Sequence, residues 1–306
     1  MLSWVVIGLA GAAVSGIVSI FDKTVIYRYA TTPHTLPLLI GIAQTFVGVV
    51  VLAVVRVPEG AEWEPVFWAL VSGVVFGLSA QFLIRVLYWN EVSRTIPVFQ
   101  SYPIFTAVYA FFFLGEELGV VDWLAVAVVV AGSVLISFRP GSGSIRGILL
   151  DRAFVLLMIG SAIHGSAHIF GKVAVDELPV LFTHALRSLG LGAVFFAFNL
   201  RSGSVDDVRT FVRTRSPALR FVAMNELIIA TVGLLLLLWA LALGPAALVT
   251  ALSGARAFFL VVYSTALALV WKGALGEVTT PGVIAIKMVS TMLIVAGVAA
   301  IAMGSA

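Results

Sequence analysis

Three side chains on one stretch of the chain could do chemistry together: His164, His168 and Lys172 recur at spacings of four and four, which places them along one face of a helix. Two imidazoles one turn apart can grip a metal, but a tetrahedral site needs further ligands. No second His/Glu cluster accompanies them, and cysteine is absent. The expectation is therefore a polar stripe lining a cavity, with no metal and no cofactor. A second group stands out by its surroundings. Glu226, Arg256, Arg187 and Lys287 interrupt long apolar runs, where an ionisable side chain must be paired or used. Glu226 lies about 8 residues into its run, or about 12 Å at 1.5 Å per residue. Two readings stay open. Glu226 and Arg256 could form a structural ion pair, or one of them could face a cavity and meet substrate or a proton. A carboxyl at that depth can take up and release a proton, so Glu226 is the proton-coupling candidate. A guanidinium keeps its charge, so Arg256 is the anion-holding candidate. Lys287 is near enough to a helix end to snorkel. His184 precedes Arg187 and Ser188 by one turn and gains weight only from them.

Uncharged polar residues add to this set. Gln44, Gln81 and Gln100 point to an inward polar face, with Gln81 and Arg85 one turn apart, although Arg85 also suits an interfacial anchor. Pro97 and Pro103 are expected to break the hydrogen-bond ladder of their helix near Tyr102.

The elements that position these residues follow from composition. Of 306 residues, 61% are hydrophobic and 11% charged, and the mean hydropathy is +1.13, which excludes a water-soluble domain. The first apolar segment starts at Leu2 with no basic region or small-residue cleavage site, so it reads as a retained helix. The pI near 9.4 rests on a net charge of only +3, and the basic residues fall in loops; no nucleic-acid partner is expected. A phosphate-binding loop, a nucleophile elbow and a zinc-protease helix are all missing, so ATP does not drive the protein directly and no enzyme is expected. The rival class is a membrane-embedded enzyme using His164 and His168. It would turn over a lipid or peptide.

At about 20 apolar residues per crossing, ten helices are expected, over 3–22, 35–55, 66–89, 94–114, 119–138, 153–174, 179–199, 218–243, 245–270 and 281–303. The connecting loops are too short for a soluble domain. The Gly/Ser stretch within 140–150 divides the chain into a first five-helix unit, 1–139, and a second, 151–306. The two units echo one another: SGIVSIFDK from Ser15 to Lys23 answers HGSAHIFGK from His164 to Lys172, an offset of 149. Ile104 to Tyr109 answers Phe258 to Tyr263, an offset of 154 that sets Tyr102 against Arg256. An odd number of crossings per unit makes the second copy enter from the opposite face, so the repeats are expected to be inverted. The fold class expected is thus all-α integral membrane, ten transmembrane helices as two inverted five-helix repeats. Ser15, Ser19 and Lys23 then line the same axis as His164, His168 and Lys172. Close helix packing explains Gly73 and Gly77 without a functional role.

Loop charges give orientation. Loops after odd-numbered helices carry about twelve Lys/Arg, from Lys23 to Lys272, against two on the other face, Arg56 and Lys172. Both termini are therefore expected outside the cytoplasm of an inner or plasma membrane.

The stretch Glu91-Val92-Ser93-Arg94-Thr95-Ile96-Pro97, then Tyr102-Pro103-Ile104-Phe105, Phe113-Leu114-Gly115-Glu116-Glu117 and Gly132-Ser133-Val134-Leu135-Ile136, resembles an EamA domain of the drug/metabolite transporter superfamily. The second half is similar through Asn225-Glu226-Leu227 and the run from Ala240 to Leu248, but it has Trp271-Lys272-Gly273-Ala274 where the first half has its Glu-Glu end. The resemblance covers nearly the whole chain. It implies a ten-helix carrier of small organic solutes working by alternating access, with a small-molecule substrate and the lipid bilayer as partners and no obligate protein partner.

The sign of the substrate follows from counting charges. Arg187, Arg256, Lys172 and Lys287 face a single deep acid, Glu226, if Asp22 and Lys23 cancel. The excess positive charge predicts a carboxylate or phosphate held by Arg256 and oriented by His164, His168 and Gln100, with Tyr102, Arg187, Lys172, Lys287, Gln81 and Arg85 completing the binding set. The alternatives are a flippase for a lipid-linked anionic head group and a cation or drug exporter that depends on Glu226.

Overall fold

The computed structural model describes residues 3–29, 32–89, 99–135, 152–256, 258–260, 262–263 and 281–304. Every regular element among them is helical. A backbone surrounded by hydrocarbon must satisfy its hydrogen bonds within the segment, and in an open apolar chain only the helix does so. The first half contributes α1 (Ser3–Arg28), α2 (Thr35–Val54), α3 (Trp63–Trp89), α4 (Tyr102–Tyr109) and α5 (Val120–Leu135). The second contributes α6 (Arg152–Glu177), α7 (Val180–Asn199), α8 (Ser202–Arg213), α9 (Pro217–Val222), α10 (Thr231–Leu243), α11 (Ala246–Ser253) and α12 (Pro281–Gly304). Two wider π-helical turns join this framework. Ala110–Leu114 prolongs α4, and Ala223–Ala230 links α9 to α10.

Among the described residues six spans are long and apolar enough to cross a membrane: Trp4–Asp22, Thr35–Val54, Trp63–Val86, Arg152–Glu177, Val180–Asn199 and Pro217–Leu243. Four further apolar helices are shorter, over Tyr102–Leu114, Val120–Gly132, Ala246–Leu260 and Met288–Ile301. The protein is a multi-pass membrane protein. The 140–150 linker, Glu91 to Pro97 and Trp271 to Ala274 lie outside the described residues.

Several expectations change in detail. Pro103 does not break a helix; it sits in the first turn of α4, where its missing N–H would have had no partner. The expected ninth crossing is interrupted, since α11 ends at Ser253 and turns through Gly254 and Ala255 before helical residues resume at Arg256. The loop after α7 is not plain loop. It folds into the amphipathic helix α8, which buries Phe211 against Val25, Leu36, Leu39, Ala218 and Val222 while its arginines stay exposed.

Small residues set how closely the helices approach. At Gly73 in α3 a Cβ would run into the Arg187 carbonyl of α7, and at Gly190 one would meet Leu70 and Val74 of α3. This crossing carries Arg187 into the middle of the bundle. Residue partners also give the directions: α2 runs antiparallel to α7, with Gly41 beside Phe195 and Gly48 beside Ala185. Likewise α3 is antiparallel to α6, α1 to α10 and α5 to α12, through Gly160 beside Phe82, Gly11 beside Leu236 and Gly132 beside Ile294.

Candidate functional site

Polar side chains from both halves meet in the bundle interior. α1 and the π-helical turn before α10 bring together two acids that an amide bridges: Asn225 Nδ2 donates to Asp22 Oδ1 at 2.8 Å and to Glu226 Oε1 at 2.9 Å. Gln44 of α2 donates to Glu226 Oε2 at 3.4 Å and accepts from Ser188 of α7 at 3.2 Å. The wide turn shifts the Glu226 carbonyl out of the usual helical ladder, and Thr231 Oγ1 takes it up at 2.9 Å. Glu226 is 4% exposed.

Arg256 stands across from this pair. Its Nε and one terminal nitrogen donate to Ser19 Oγ at 2.8 and 2.6 Å. Asp22 and Tyr102 both lie within electrostatic range of it. The Glu226–Arg256 ion pair, one of the two open readings, does not form: Glu226 is held by Asn225 and Gln44, and Arg256 by Ser19.

The remaining part of the site is aromatic. Tyr102, whose hydroxyl is hydrogen-bonded to Ser253 of α11, lies edge-on to His164 at 4.5 Å between ring centroids and stacks on His168 at 5.4 Å. His164 Nδ1 shares a hydrogen bond of 2.8 Å with Ser79 of α3. His164 and His168 pack at 4.9 Å, with Phe76 and Phe99 closing over His164. No group of three or more His, Cys, Asp or Glu among the described residues could hold a metal. Arg187 completes the circuit, its Cζ 5.1 Å from the centre of the Phe76 ring and its charge felt by His164, His168 and His184.

Of the residues named from sequence, Glu226, Arg256, His164, His168, Tyr102 and Arg187 come together here. Gln81 and Gln100 are buried, and Gln81 Nε2 has no partner among the described residues. Lys172 is not part of the group. It bonds Asp176 one turn along α6 at 2.7 Å, on a partly exposed face, because the polar stripe leaves the interior after His168. Arg85 is exposed at the end of α3 and lies 5.8 Å from the Phe198 ring. The side chains of Lys23 and Lys287 lie outside the described residues.

Asp22 was missed, and for a definite reason. The expected first crossing stopped at residue 22, which put Asp22 at a helix end beside Lys23. In fact α1 continues to Arg28, so Asp22 is carried inside against Asn225. The charge count changes accordingly. Among the described residues two interior arginines, buried Arg187 and half-buried Arg256, face two acids, half-buried Asp22 and buried Glu226. Asn225 had a signal in the sequence, its place beside Glu226 in a long apolar run.

Comparison with known proteins agrees with this architecture. The model of the EamA-like transporter family matches residues 2–138. A Sinorhizobium sp protein named "Uncharacterized transporter in cobO 3'region" is 28% identical over 143 residues, which is 44% of this chain and 96% of that one. A crystal structure superposes on 97% of this chain and 96% of the other with a TM-score of 0.67 at 16% identity, a likeness of fold alone. The first half of this membrane-embedded helical bundle is thus similar to the EamA-like transporter family, and the curated relative that matches it is itself named a transporter.

Proposed function

We propose that the protein is a secondary transporter that moves a small organic metabolite bearing a carboxylate or phosphate by alternating access. In this reading ten crossings form two inverted five-helix repeats. The observation that carries it is a pair of equivalent contacts. Offsets of 149 and 154 in the sequence set Ser19 against His168 and Arg256 against Tyr102. Ser19 hydrogen-bonds Arg256 while His168 stacks on Tyr102, so each half makes the same inter-helix contact with its own chemistry. The antiparallel pairings of α2 with α7 and α5 with α12 suit a twofold axis in the membrane plane. The curated relative is about half as long as this chain, as a single repeat would be.

The substrate would sit at the centre, between the two arginines and the two acids, and the halves would rock about it. Glu226 is the proton-coupling residue of this scheme, with Asp22 as its neighbour. Purified protein screened by thermal shift against amino acids, sugar phosphates, nucleotides and quaternary amines tests the substrate class, because a ligand of the native state raises Tm by mass action. Stabilisation by carboxylates or phosphates supports the reading, and stabilisation by quaternary amines alone overturns its substrate class.

The Asp22–Asn225–Glu226 group favours one second reading, proton-driven export of an organic cation, in which the two carboxyls receive the cation after losing their protons. The same screen decides between them. In either case the reading has both termini outside the cytoplasm of an inner or plasma membrane, supported by the loop charges. Single cysteines at Glu62 and Gly203 are accessible and can be labelled in whole cells by an impermeant maleimide. Labelling at Gly203 and not at Glu62 reverses the orientation.

A further inference from the structure

Arg187 presents a difficulty that the transport scheme does not resolve. Its side chain is 5% exposed, and both terminal guanidinium nitrogens are buried with no hydrogen-bond partner among the described residues. No described carboxylate stands within ion-pair distance of it. Gln44 and Ser188, the neighbours that could have reached it, are engaged with each other and with Glu226. What Arg187 meets instead is the Phe76 ring, 5.1 Å from its Cζ, and a small hollow. A cavity of about 10 Å³, room for about one water-sized particle, is lined by Gln44, Phe76, His184, Arg187, Ser188 and Leu191. His184 Nε2 is a second buried polar atom without a partner on that cavity.

We propose that this cavity is a binding site for one small anionic group, gripped by the two terminal nitrogens of Arg187 and by His184 Nε2–H. Three observations converge. The residues that carry these nitrogens line one hollow, the nitrogens are unsatisfied, and the guanidinium has no counter-ion among the described residues. A guanidinium buried without a counter-charge is costly, and an anion supplies both the charge and the acceptor. The volume selects the ligand, since it admits a group about the size of a water molecule: one oxygen of a carboxylate reaching in from the central site, or a halide ion once the surrounding side chains give by a few tenths of an ångström. Arg256 is not a second such site, because Ser19 and Asp22 already face it.

The site requires only binding, so it stands or falls apart from transport; its carboxylate source alone rests on the substrate class proposed above. The protein purified in methanesulfonate buffer, whose anion is neither a halide nor a carboxylate, is titrated with chloride, bromide and formate at constant ionic strength, and Tm is followed. Wild type is expected to gain at least about 2 °C with a halide or formate, and Arg187→Gln to gain nothing. A halide response identifies a free ion, and a response to formate alone identifies the substrate's carboxylate. Should Arg187→Gln fail to fold, crystals of the wild-type protein grown in bromide or bromoacetate are read by anomalous scattering. A bromine peak beside Arg187 supports the site. No stabilisation by any of the three anions, or bromine bound only elsewhere, overturns it.

Discussion

Two arginines lie inside this bundle, Arg187 buried and Arg256 half-buried, and the protein treats them differently. Arg256 follows a break in the chain, where α11 gives way at Gly254 and Ala255, and it reaches Ser19 with two nitrogens while Asp22 stands in range. Arg187 is fixed mid-helix in α7 where that helix crosses α3 backbone against backbone, and its head has an aromatic face, imidazoles and a small void for company. The first charge is compensated from within, and such a residue organises the site. The second has the Phe76 ring but no counter-ion among the described residues, and such a residue is a receptor. Charge alone, counted along the sequence, ranks the two equally; what separates them is which has been given a partner.

The largest effect expected on this contrast comes from the crossing that holds Arg187 in place. Gly73→Leu puts a side chain where the Arg187 backbone already lies, and because the obstacle is main chain and not a flexible side chain, α3 and α7 must separate. Overpacking of this kind costs about 1–3 kcal/mol and often more. Loss of transport together with a lowered Tm is expected, whereas Gly60→Leu, in an open loop at a positive φ of 78°, is expected to lower Tm slightly and leave transport intact. Equal effects at both positions would show that the crossing does not govern the site.

Next in size is the exchange of each arginine for methionine, which keeps much of the length and removes the charge. Arg256→Met strips two hydrogen bonds to Ser19 and takes from Asp22 the arginine it faces, so Tm in methanesulfonate buffer should fall, by about 1.5–3 kcal/mol of stability. Arg187→Met removes buried donors that had no partner, and stability in the same buffer should rise, by about 1–3 kcal/mol. Transport is expected to fail in both. Opposite signs in Tm with the same loss of function is the diagnostic result, and a fall in Tm for both would mean that Arg187 is held by the protein after all.

These contrasts also show where sequence reading succeeds and where it stops. Buried charge in an apolar run was enough to pick out Glu226, Arg256 and Arg187, because the cost of burying an ion leaves few reasons to keep one. The i, i+4 stripe brought His164 and His168 onto one face. The same rule failed at Lys172, since periodicity gives the face of a helix and not the depth at which that face leaves the interior. Asp22 was lost to a helix end set six residues too early, and the turn that places Glu226 is π-helical, a geometry that leaves no mark in composition. Pairing is the part that no single sequence gives. Whether Glu226 meets Arg256 or Asn225 depends on a rotation of one helix about its axis.

A smaller effect is expected at the two acids. Glu226→Gln keeps one acceptor, enough for Asn225, and turns an NH2 toward Gln44, whose 3.4 Å contact is the longer of the two, so the fold should survive with a small fall in Tm; Asp22→Asn keeps the acceptor that Asn225 uses and should behave likewise. If the carboxyls carry the coupling proton, uptake in proteoliposomes driven by a proton gradient fails in Glu226→Gln while exchange of substrate across the membrane continues. Gradient-driven uptake at the wild-type rate in that variant would remove Glu226 from the coupling step. A pH dependence that is lost in Asp22→Asn and retained in Glu226→Gln would transfer the role to Asp22.

The smallest effect separates interior charge from charge at the ends of helices. Glu116, of the Phe113 to Glu117 motif, accepts hydrogen bonds from the backbone N–H groups of Ala246 and Ala247 at 2.5 and 3.1 Å, so a residue of the first half caps the first turn of α11 in the second. A carboxylate there satisfies two of the donors that every helix leaves open at its start and lies at the favourable end of the helix dipole. Glu116→Gln keeps one acceptor and loses the charge, so it should cost about 1 kcal/mol, as the loss of a capping interaction does. Lys172→Ala marks the lower limit. It removes a partly exposed i, i+4 pair with Asp176, worth about 0.5 kcal/mol, and should leave Tm and transport as they are. Glu116 is the more informative of the two because its cap joins the halves. If the halves separate at this contact during the cycle, weakening it should speed the step that opens this end, so Glu116→Gln should lose stability and keep or raise its transport rate. A variant that loses transport in proportion to its stability would place the cap in a part of the fold that does not move.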